Sequence, residues 1–223
     1  MRRVRVKICG ITREEDLDVA VDAGADAVGF LVGVPASPRN LTLERAEKLL
    51  NQVPIFVDSV VVTAPQSIKD LVEICERLNP TAIQIHGKKH FDASEIRERV
   101  RDVRLIKTVY VGADSLNKEN LDALKDFDAV LLDSFIKGQY GGTGMVHDWT
   151  LSKKIVETVA PVPVILAGGL NPENVTEAIL AVQPYAVDVA SGVELKPAVK
   201  DHEKVRAFVD NAKQINLAKR CVM

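Results

Sequence analysis

The sequence alternates eight times between short apolar runs of strand character and longer amphipathic segments. This periodicity predicts strands at 4–9, 26–31, 54–60, 81–86, 104–110, 128–133, 163–167 and 185–190, and helices at 13–23, 42–51, 65–78, 92–101, 114–126, 149–160, 172–182 and 201–213. Eight strand–helix units in 223 residues are typical of an α/β protein of the (β/α)8 TIM barrel type. Because no Pro/Ser-rich linker divides the chain, we expect residues 1–223 to form a single domain, with the last eight or so residues as a frayed tail.

An open, doubly wound sheet is the alternative fold, and it favours a glycine-rich phosphate loop after the first strand. Here the first strand runs into "KICGIT", and the glycines cluster instead in "AGGLNPEN" and "SGVE", after strands seven and eight. Barrels commonly bind phosphate at those two loops. Glycines at single loops serve ordinary turn geometry, but two neighbouring loops of this kind predict a phosphate site made by Gly168, Gly169, Ser191 and Gly192.

The first strand carries a cysteine at its carboxyl end. Val4, Val6 and Ile8 point to one side of this strand, so Lys7 and Cys9 are expected to point into the barrel. A free cysteine is more commonly a small, buried core residue than a reactive one. The position of Cys9 at the catalytic rim favours a chemical role instead, and the nearby ammonium of Lys7 is expected to lower the thiol pKa.

Three further strand ends carry polar groups. Asp133 follows the apolar run "AVLL", where an aspartate serves either as a helix N-cap or as a catalytic acid, and the residues alone leave both open. Arg39 in "ASPRNL" suits a carboxylate or phosphate on a ligand. Gln84 and His86 in "IQIHG" share the inward parity of strand four and are expected to line the mouth as hydrogen-bonding groups.

Composition narrows the class of partner. The net charge is −2 without a basic stripe, which argues against nucleic acid. No apolar run has the length of a membrane span, and no apolar segment follows the basic N-terminus as in a signal peptide. Three cysteines without a C-x-x-C pair predict free thiols in a reducing cytoplasm. His86 and His90 lack the further ligands of a metal site, so no bound metal is expected.

The chain closely resembles the phosphoribosylanthranilate isomerase family of tryptophan biosynthesis. The resemblance rests on "VKICGIT", "GADAVGF", "SPR", "IQIHG", "LLDS", "GGTG" with "DW", "PVILAGGLNPENV" and "PYAVDVASGVE", and so covers essentially the whole chain. It implies a TIM barrel that converts an aminoaldose to an aminoketose by an Amadori rearrangement, with neither a metal nor an organic cofactor. It also implies a small phosphorylated substrate and a monomer or a homodimer.

The resemblance also implies roles for individual residues. Cys9 would be the general base, Asp133 the general acid and Arg39 the ligand of the anthranilate carboxylate. The phosphate would bind to the backbone of the two glycine loops, and Asp188 would reach a sugar hydroxyl. The sequence departs from the family pattern in "LVGVPASPR", in "FVDSVVVT", at Met145 and at Ala190, which bears on loop contacts rather than on the reaction.

Two alternative functions stay open, one of them enzymatic and the other non-enzymatic. A related phosphosugar isomerase of the barrel type would place metal ligands, or lysine with glutamate, at the chemistry. A non-catalytic barrel that only binds a phosphate ligand would lose nothing when Cys9 is replaced by serine.

Overall fold

Eight parallel strands form a closed barrel in a computed structural model that describes residues 2–87, 89, 91–112, 117–134 and 147–217. The strands β1 to β8 comprise, in chain order, Arg5–Cys9, Ala27–Val32, Asp58–Thr63, Ala82–Ile85, Arg104–Val111, Ala129–Ser134, Val164–Leu166 and Ala186–Val189. Each strand pairs with the next one along the chain, and β1 pairs with both β2 and β8, which closes the sheet. The predicted TIM barrel is confirmed.

In the described ranges, eight α-helices lie between or after these strands. The helices α1 to α8 comprise Glu14–Asp22, Leu43–Leu50, Ile68–Leu78, Ala93–Arg99, Lys118–Ala123, Trp149–Thr158, Val175–Val182 and His202–Lys213. Of the helices in the described ranges, none combines the length and apolar character needed to cross a membrane.

The alternation of side chains along each strand produces two separate cores. Val4, Val6 and Ile8 are fully buried in the larger core, between the strands and the helices, as predicted. The smaller core lies inside the barrel and is lined by alternate residues of the strands, which are Ala27, Val60, Ala82, Ile106, Ala129, Leu131, Ile165, Ala167 and Ala186. Many of these inner residues are small, so the barrel interior has room for polar side chains above them.

The third strand begins four residues later than the periodicity predicts. Residues 54–57 form a turn in which Phe56 has a φ of +76°, and pairing with β2 starts where Asp58 lies opposite Ala27. The run "PIFVDSVVVT" holds two apolar stretches, and only the second fits the barrel register. Ile55 and Phe56 are consequently 81% and 95% exposed.

Helix starts and the C-terminal segment also differ in detail from the prediction. Helix α3 begins after Ser67, which forms a capping box with Asp70, and not at Pro65. Helix α7 begins at Val175, after a turn held by the Asn171 side chain. Residues 114–116 of the predicted fifth helix and residues 218–223 of the predicted tail lie outside the described residues, while Asn216–Leu217 pairs with Arg2–Arg3.

We expect Leu71→Ala to lower the free energy of unfolding by about 2–5 kcal/mol, because Leu71 is fully buried in the larger core. Leu180→Ala is the matched control, since Leu180 also lies within a helix but is 57% exposed. It should change stability by less than about 0.5 kcal/mol. Urea unfolding followed by far-UV circular dichroism measures both, and equal losses would contradict the packing described above.

Candidate active site

The ten residues that were predicted to catalyse the reaction or to bind the substrate line one cavity at the carboxyl ends of the barrel strands. They are Cys9, Arg39, Gln84, His86, Asp133, Gly168, Gly169, Asp188, Ser191 and Gly192. The cavity therefore forms where a parallel barrel brings together the ends of strands that are far apart in sequence.

A buried polar layer lies beneath this cavity. The Lys7 ammonium donates to Gln84 Oε1 at 2.9 Å and to Asp188 Oδ1 at 3.1 Å. Gln84 in turn donates to the Thr108 hydroxyl at 3.4 Å. Burial lowers the pKa of Lys7, but the negative charges of Asp188 and Cys9 outweigh it and leave that pKa raised. Lys7 is thus a buried cation paired with Asp188.

Cys9 is a buried free thiol directly above this layer. Burial raises the pKa of the Cys9 thiol above its ordinary value, although the positive charges of Lys7 and Lys200 lower it. Lys7 thus lowers the Cys9 pKa, as expected, but burial outweighs this effect and the pKa stays above its ordinary value. The physical reason is that the Lys7 charge is already balanced by Asp188, so it cannot offset the loss of hydration around the sulfur.

Asp133 is a buried carboxyl group at the end of β6. Burial raises its pKa to about 6; the nearby charge of Asp188 also raises it, while a hydrogen bond from the Ser134 amide and the charge of Lys7 lower it. The N-cap of helix α6 is Asp148. Capping of α6 is therefore not the role of Asp133, and a carboxyl group with this pKa can exchange a proton near neutral pH.

Arg39 makes a bidentate ion pair with a residue that the sequence analysis did not single out. Its Nε donates to Glu194 Oε1 at 2.7 Å and its Nη2 donates to Glu194 Oε2 at 2.6 Å. Glu194 also accepts a hydrogen bond from the buried ammonium of Lys200 at 3.1 Å. Two of the three guanidinium nitrogens are thus committed within the protein, and Nη1 remains as the third.

The two glycine-rich loops pack tightly against each other and against β6. Gly168 and Gly169 have φ values of +77° and +71°, which glycine adopts at little cost. A Cβ atom on Gly192 would lie 1.9 Å from the Leu170 carbonyl oxygen, and one on Gly168 would lie 2.3 Å from the Ser134 hydroxyl oxygen. Glycine therefore lets main chain approach main chain here, as an anion-binding cradle requires.

His86 and one wall of the cavity complete the site. His86 Nδ1 lies 3.1 Å from the Tyr110 hydroxyl, and burial lowers the His86 pKa to about 3, so the imidazole is neutral. His90 lies outside the described residues. The wall near Arg39 is apolar and is made by Leu31, Val34, Val62 and Ala64.

Several residues that shape the site escaped the sequence analysis. Glu194 and Lys200 carry no motif signal beyond the "GVE" that follows the last glycine loop. His147 bridges the Ser134 and Ser152 hydroxyls, at 3.1 Å from Nδ1 and 2.6 Å from Nε2. Across the described parts of the chain, no three His, Cys, Asp or Glu side chains cluster closely enough to hold a metal ion.

Comparisons with known proteins agree with this geometry. Residues 6–211 match the family model of N-(5′-phosphoribosyl)anthranilate isomerase. The chain is 43% identical over 210 residues to an N-(5′-phosphoribosyl)anthranilate isomerase of Methanocella arvoryzae, covering 94% of this chain and 98% of that protein.

Solved structures give the same result. A phosphoribosylanthranilate isomerase crystallised with reduced 1-(o-carboxyphenylamino)-1-deoxyribulose 5-phosphate superposes with a TM-score of 0.80 at 37% identity, over 95% of this chain and all of that one. Monomers generated from the dimeric enzyme of Thermotoga maritima give a TM-score of 0.78 at 34% identity, over 95% of this chain and all of that one. The chain belongs to the N-(5′-phosphoribosyl)anthranilate isomerase family.

Proposed function

We propose that this chain isomerises N-(5′-phosphoribosyl)anthranilate to 1-(2-carboxyphenylamino)-1-deoxyribulose 5-phosphate, a step of tryptophan biosynthesis, by general acid–base catalysis. Family membership gives the reaction. The observation that supports the catalytic pair is that Cys9 and Asp133 line the same cavity as the two glycine loops. A free thiol base belongs in a reducing compartment, so we assign the reaction to the cytoplasm.

Substrate binding divides between three parts of the cavity. The phosphate binds to the main chain of Gly168, Gly169, Ser191 and Gly192. The aromatic ring lies against the apolar wall, with its carboxylate at Arg39 Nη1. Asp188, fixed by Lys7, takes a sugar hydroxyl, and Gln84 and His86 offer uncharged polar groups at the mouth.

The reaction begins with Asp133 as the acid. Its carboxyl proton moves to the ring oxygen of the furanose, and the bond from that oxygen to the anomeric carbon breaks, which leaves a protonated Schiff base. The Cys9 thiolate then removes the proton from the adjacent sugar carbon, and the freed electron pair neutralises the iminium as an enolamine. The enolamine tautomerises to the ketone.

Each turnover moves one proton from the carboxyl group to the sulfur. The reactive arrangement is therefore the neutral acid with the thiolate, and the pair must return to it before the next turnover. With a carboxyl pKa of about 6 and a raised thiol pKa, the arrangement of lower free energy at pH 7 is the opposite one, with the proton on sulfur. The reactive form is a minority species that the enzyme reaches by an internal proton shift.

We expect Asp133→Asn and Cys9→Ser each to lower kcat by about 10²- to 10⁴-fold, because each removes a proton-transfer group. Turnover is measured by the change in fluorescence of phosphoribosylanthranilate generated in situ, in buffer that contains a chelator. Cys75→Ser is the matched control: Cys75 is also a buried thiol, but it lies in α3, away from the cavity. Near-normal rates in either catalytic variant would contradict its assigned role.

We expect Gly192→Ala to raise KM by about 10- to 100-fold, because the added methyl group displaces main chain whose hydrogen bonds to a charged group are worth about 1.5–3 kcal/mol. Inorganic phosphate should also lose its ability to inhibit. Gly112→Ala is the control, since a Cβ there meets nothing within 4 Å. An unchanged KM would place the phosphate elsewhere.

The exposed turn before β3 supports self-association as a homodimer. Ile55 and Phe56 project from the amino end of the barrel. The same end holds a cavity of about 240 Å³ floored by Ala27, Ala82, Ala129 and Ala186. The lining of this cavity also includes charged residues, among them Arg5, Asp26, Asp58, Arg104 and Asp128. An apolar tip and a cavity lined in part by alanines, both on one face, can pack against each other around a twofold axis.

We expect Phe56→Glu to convert the dimer to a monomer, because it would place a charge in the apolar interface. Light scattering coupled to size exclusion measures the molar mass. Leu195→Glu, at a residue that is 72% exposed near the opposite end of the barrel, should leave the mass unchanged. A wild-type chain that is monomeric at micromolar concentration would overturn this assignment.

A further inference from the structure

Lys200 is a buried cation behind the candidate site. It ends a hairpin in which Glu194–Lys196 pairs with Val199–Lys200, between β8 and α8. Its side chain is fully buried, and its main-chain amide is fixed by the Asp16 carboxylate at 3.1 Å. The Lys200 ammonium therefore has one defined position.

The three acceptors of this ammonium belong to three different parts of the site. Lys200 Nζ donates to the Cys9 carbonyl oxygen at 2.6 Å, to the Ala190 carbonyl oxygen at 3.0 Å and to Glu194 Oε1 at 3.1 Å. An ammonium has three N–H donors, so these contacts satisfy the charged form completely. One side chain thus joins the end of β1, the residue before the Ser191–Gly192 loop, and the partner of Arg39.

A purely structural role does not account well for a charge at this position. Removing a lysine ammonium from water carries a desolvation penalty of several kcal/mol, and a buried ion pair can often be replaced as a whole by apolar side chains of similar volume at no loss of stability. The carbonyl groups of Cys9 and Ala190 and the Glu194 carboxylate would not need a charged group to keep their positions. The charge itself is therefore the feature that needs a function.

The charged groups that face Cys9 come from four elements. They are Lys7 on β1, Asp188 on β8, Arg39 after β2, and Lys200 on the hairpin. Lys7 is paired with Asp188, and Glu194 is shared by Arg39 and Lys200. Burial lowers the pKa of Lys200, while the charges of Glu194 and Cys9 raise it. With Lys200 protonated, this grouping leaves one surplus positive charge beside Cys9.

We propose that Lys200 is a positioning residue of the acid–base reaction: it holds Cys9 and the Ser191–Gly192 loop in register and supplies the surplus positive charge that favours the Cys9 thiolate. The effect of Lys200 on catalysis rests on the proposed function, because it requires Cys9 to be the general base. The effect of Lys200 on the Cys9 thiol can be measured without turnover. Burial works against the thiolate, and Lys200 is one of two lysines that oppose burial.

The first test compares Lys200→Met with Lys196→Met, an exposed lysine of the same hairpin. Cys9 is alkylated with iodoacetamide across a range of pH, and the modified Cys9 peptide is quantified by mass spectrometry. Lys200→Met should move the midpoint of alkylation to higher pH and lower kcat on the order of 10²-fold, as small misplacements of reacting groups do. Lys196→Met should match the wild type in both, and Lys200→Arg should restore the midpoint because it keeps the charge.

A second variant tests the network if Lys200→Met fails to fold. Glu194→Gln removes the negative charge between the two cations and keeps the side-chain shape. It should move the alkylation midpoint to lower pH, opposite to Lys200→Met. General loosening of the site cannot produce shifts of opposite sign.

The outcomes separate the two proposals. An unchanged alkylation midpoint in a folded Lys200→Met, or a midpoint in Glu194→Gln that shifts upward or stays at the wild-type pH, would overturn the role of Lys200. A wild-type chain that fails to consume phosphoribosylanthranilate, with alkylation midpoints that shift as described, would overturn the proposed function and leave the electrostatic role of Lys200 standing.

Discussion

The pairing of β1 with β8 is the constraint on which the rest of the molecule depends. It places Lys7 opposite Asp188 and closes the barrel. Closure sends alternate side chains of every strand into a space that water cannot fill freely, so any charge there needs a partner from another strand. The Lys7–Asp188 pair meets that need and forms the floor on which Cys9 lies.

The same closure creates the electrostatic difficulty that the reaction must overcome. Burial disfavours charge on both of the proposed catalytic groups, which helps a carboxylic acid to keep its proton and hinders a thiol from losing one. Asp133 therefore acquires a pKa close to the working range, whereas the Cys9 thiol moves away from it. The cations Lys7 and Lys200 lie near the sulfur and reduce this mismatch. Lys7 is on β1 and Lys200 is on the hairpin after β8, and they come together because β1 pairs with β8.

The sequence predicts the local features well and the long-range partners poorly. Eight strands, the inward parity of Lys7 and Cys9, and the glycine loops after β7 and β8 follow from periodicity and from residue type. The start of β3 does not, because two apolar stretches compete and only the register with Ala27 decides between them. Glu194 pairs with Arg39 across 155 residues, and no local pattern encodes such a contact.

The Arg39 pair also changes what specificity for an anionic substrate requires. An isolated guanidinium would accept any carboxylate or phosphate in either of its bidentate orientations. With Nε and Nη2 bound to Glu194, only the edge formed by Nη1 and Nη2 is left for a ligand carboxylate. Glu194 by itself would repel that carboxylate, and Lys200 offsets this repulsion from the buried side. In the proposed function, recognition of the anionic group is therefore a property of Arg39, Glu194 and Lys200 together, and not of the arginine alone.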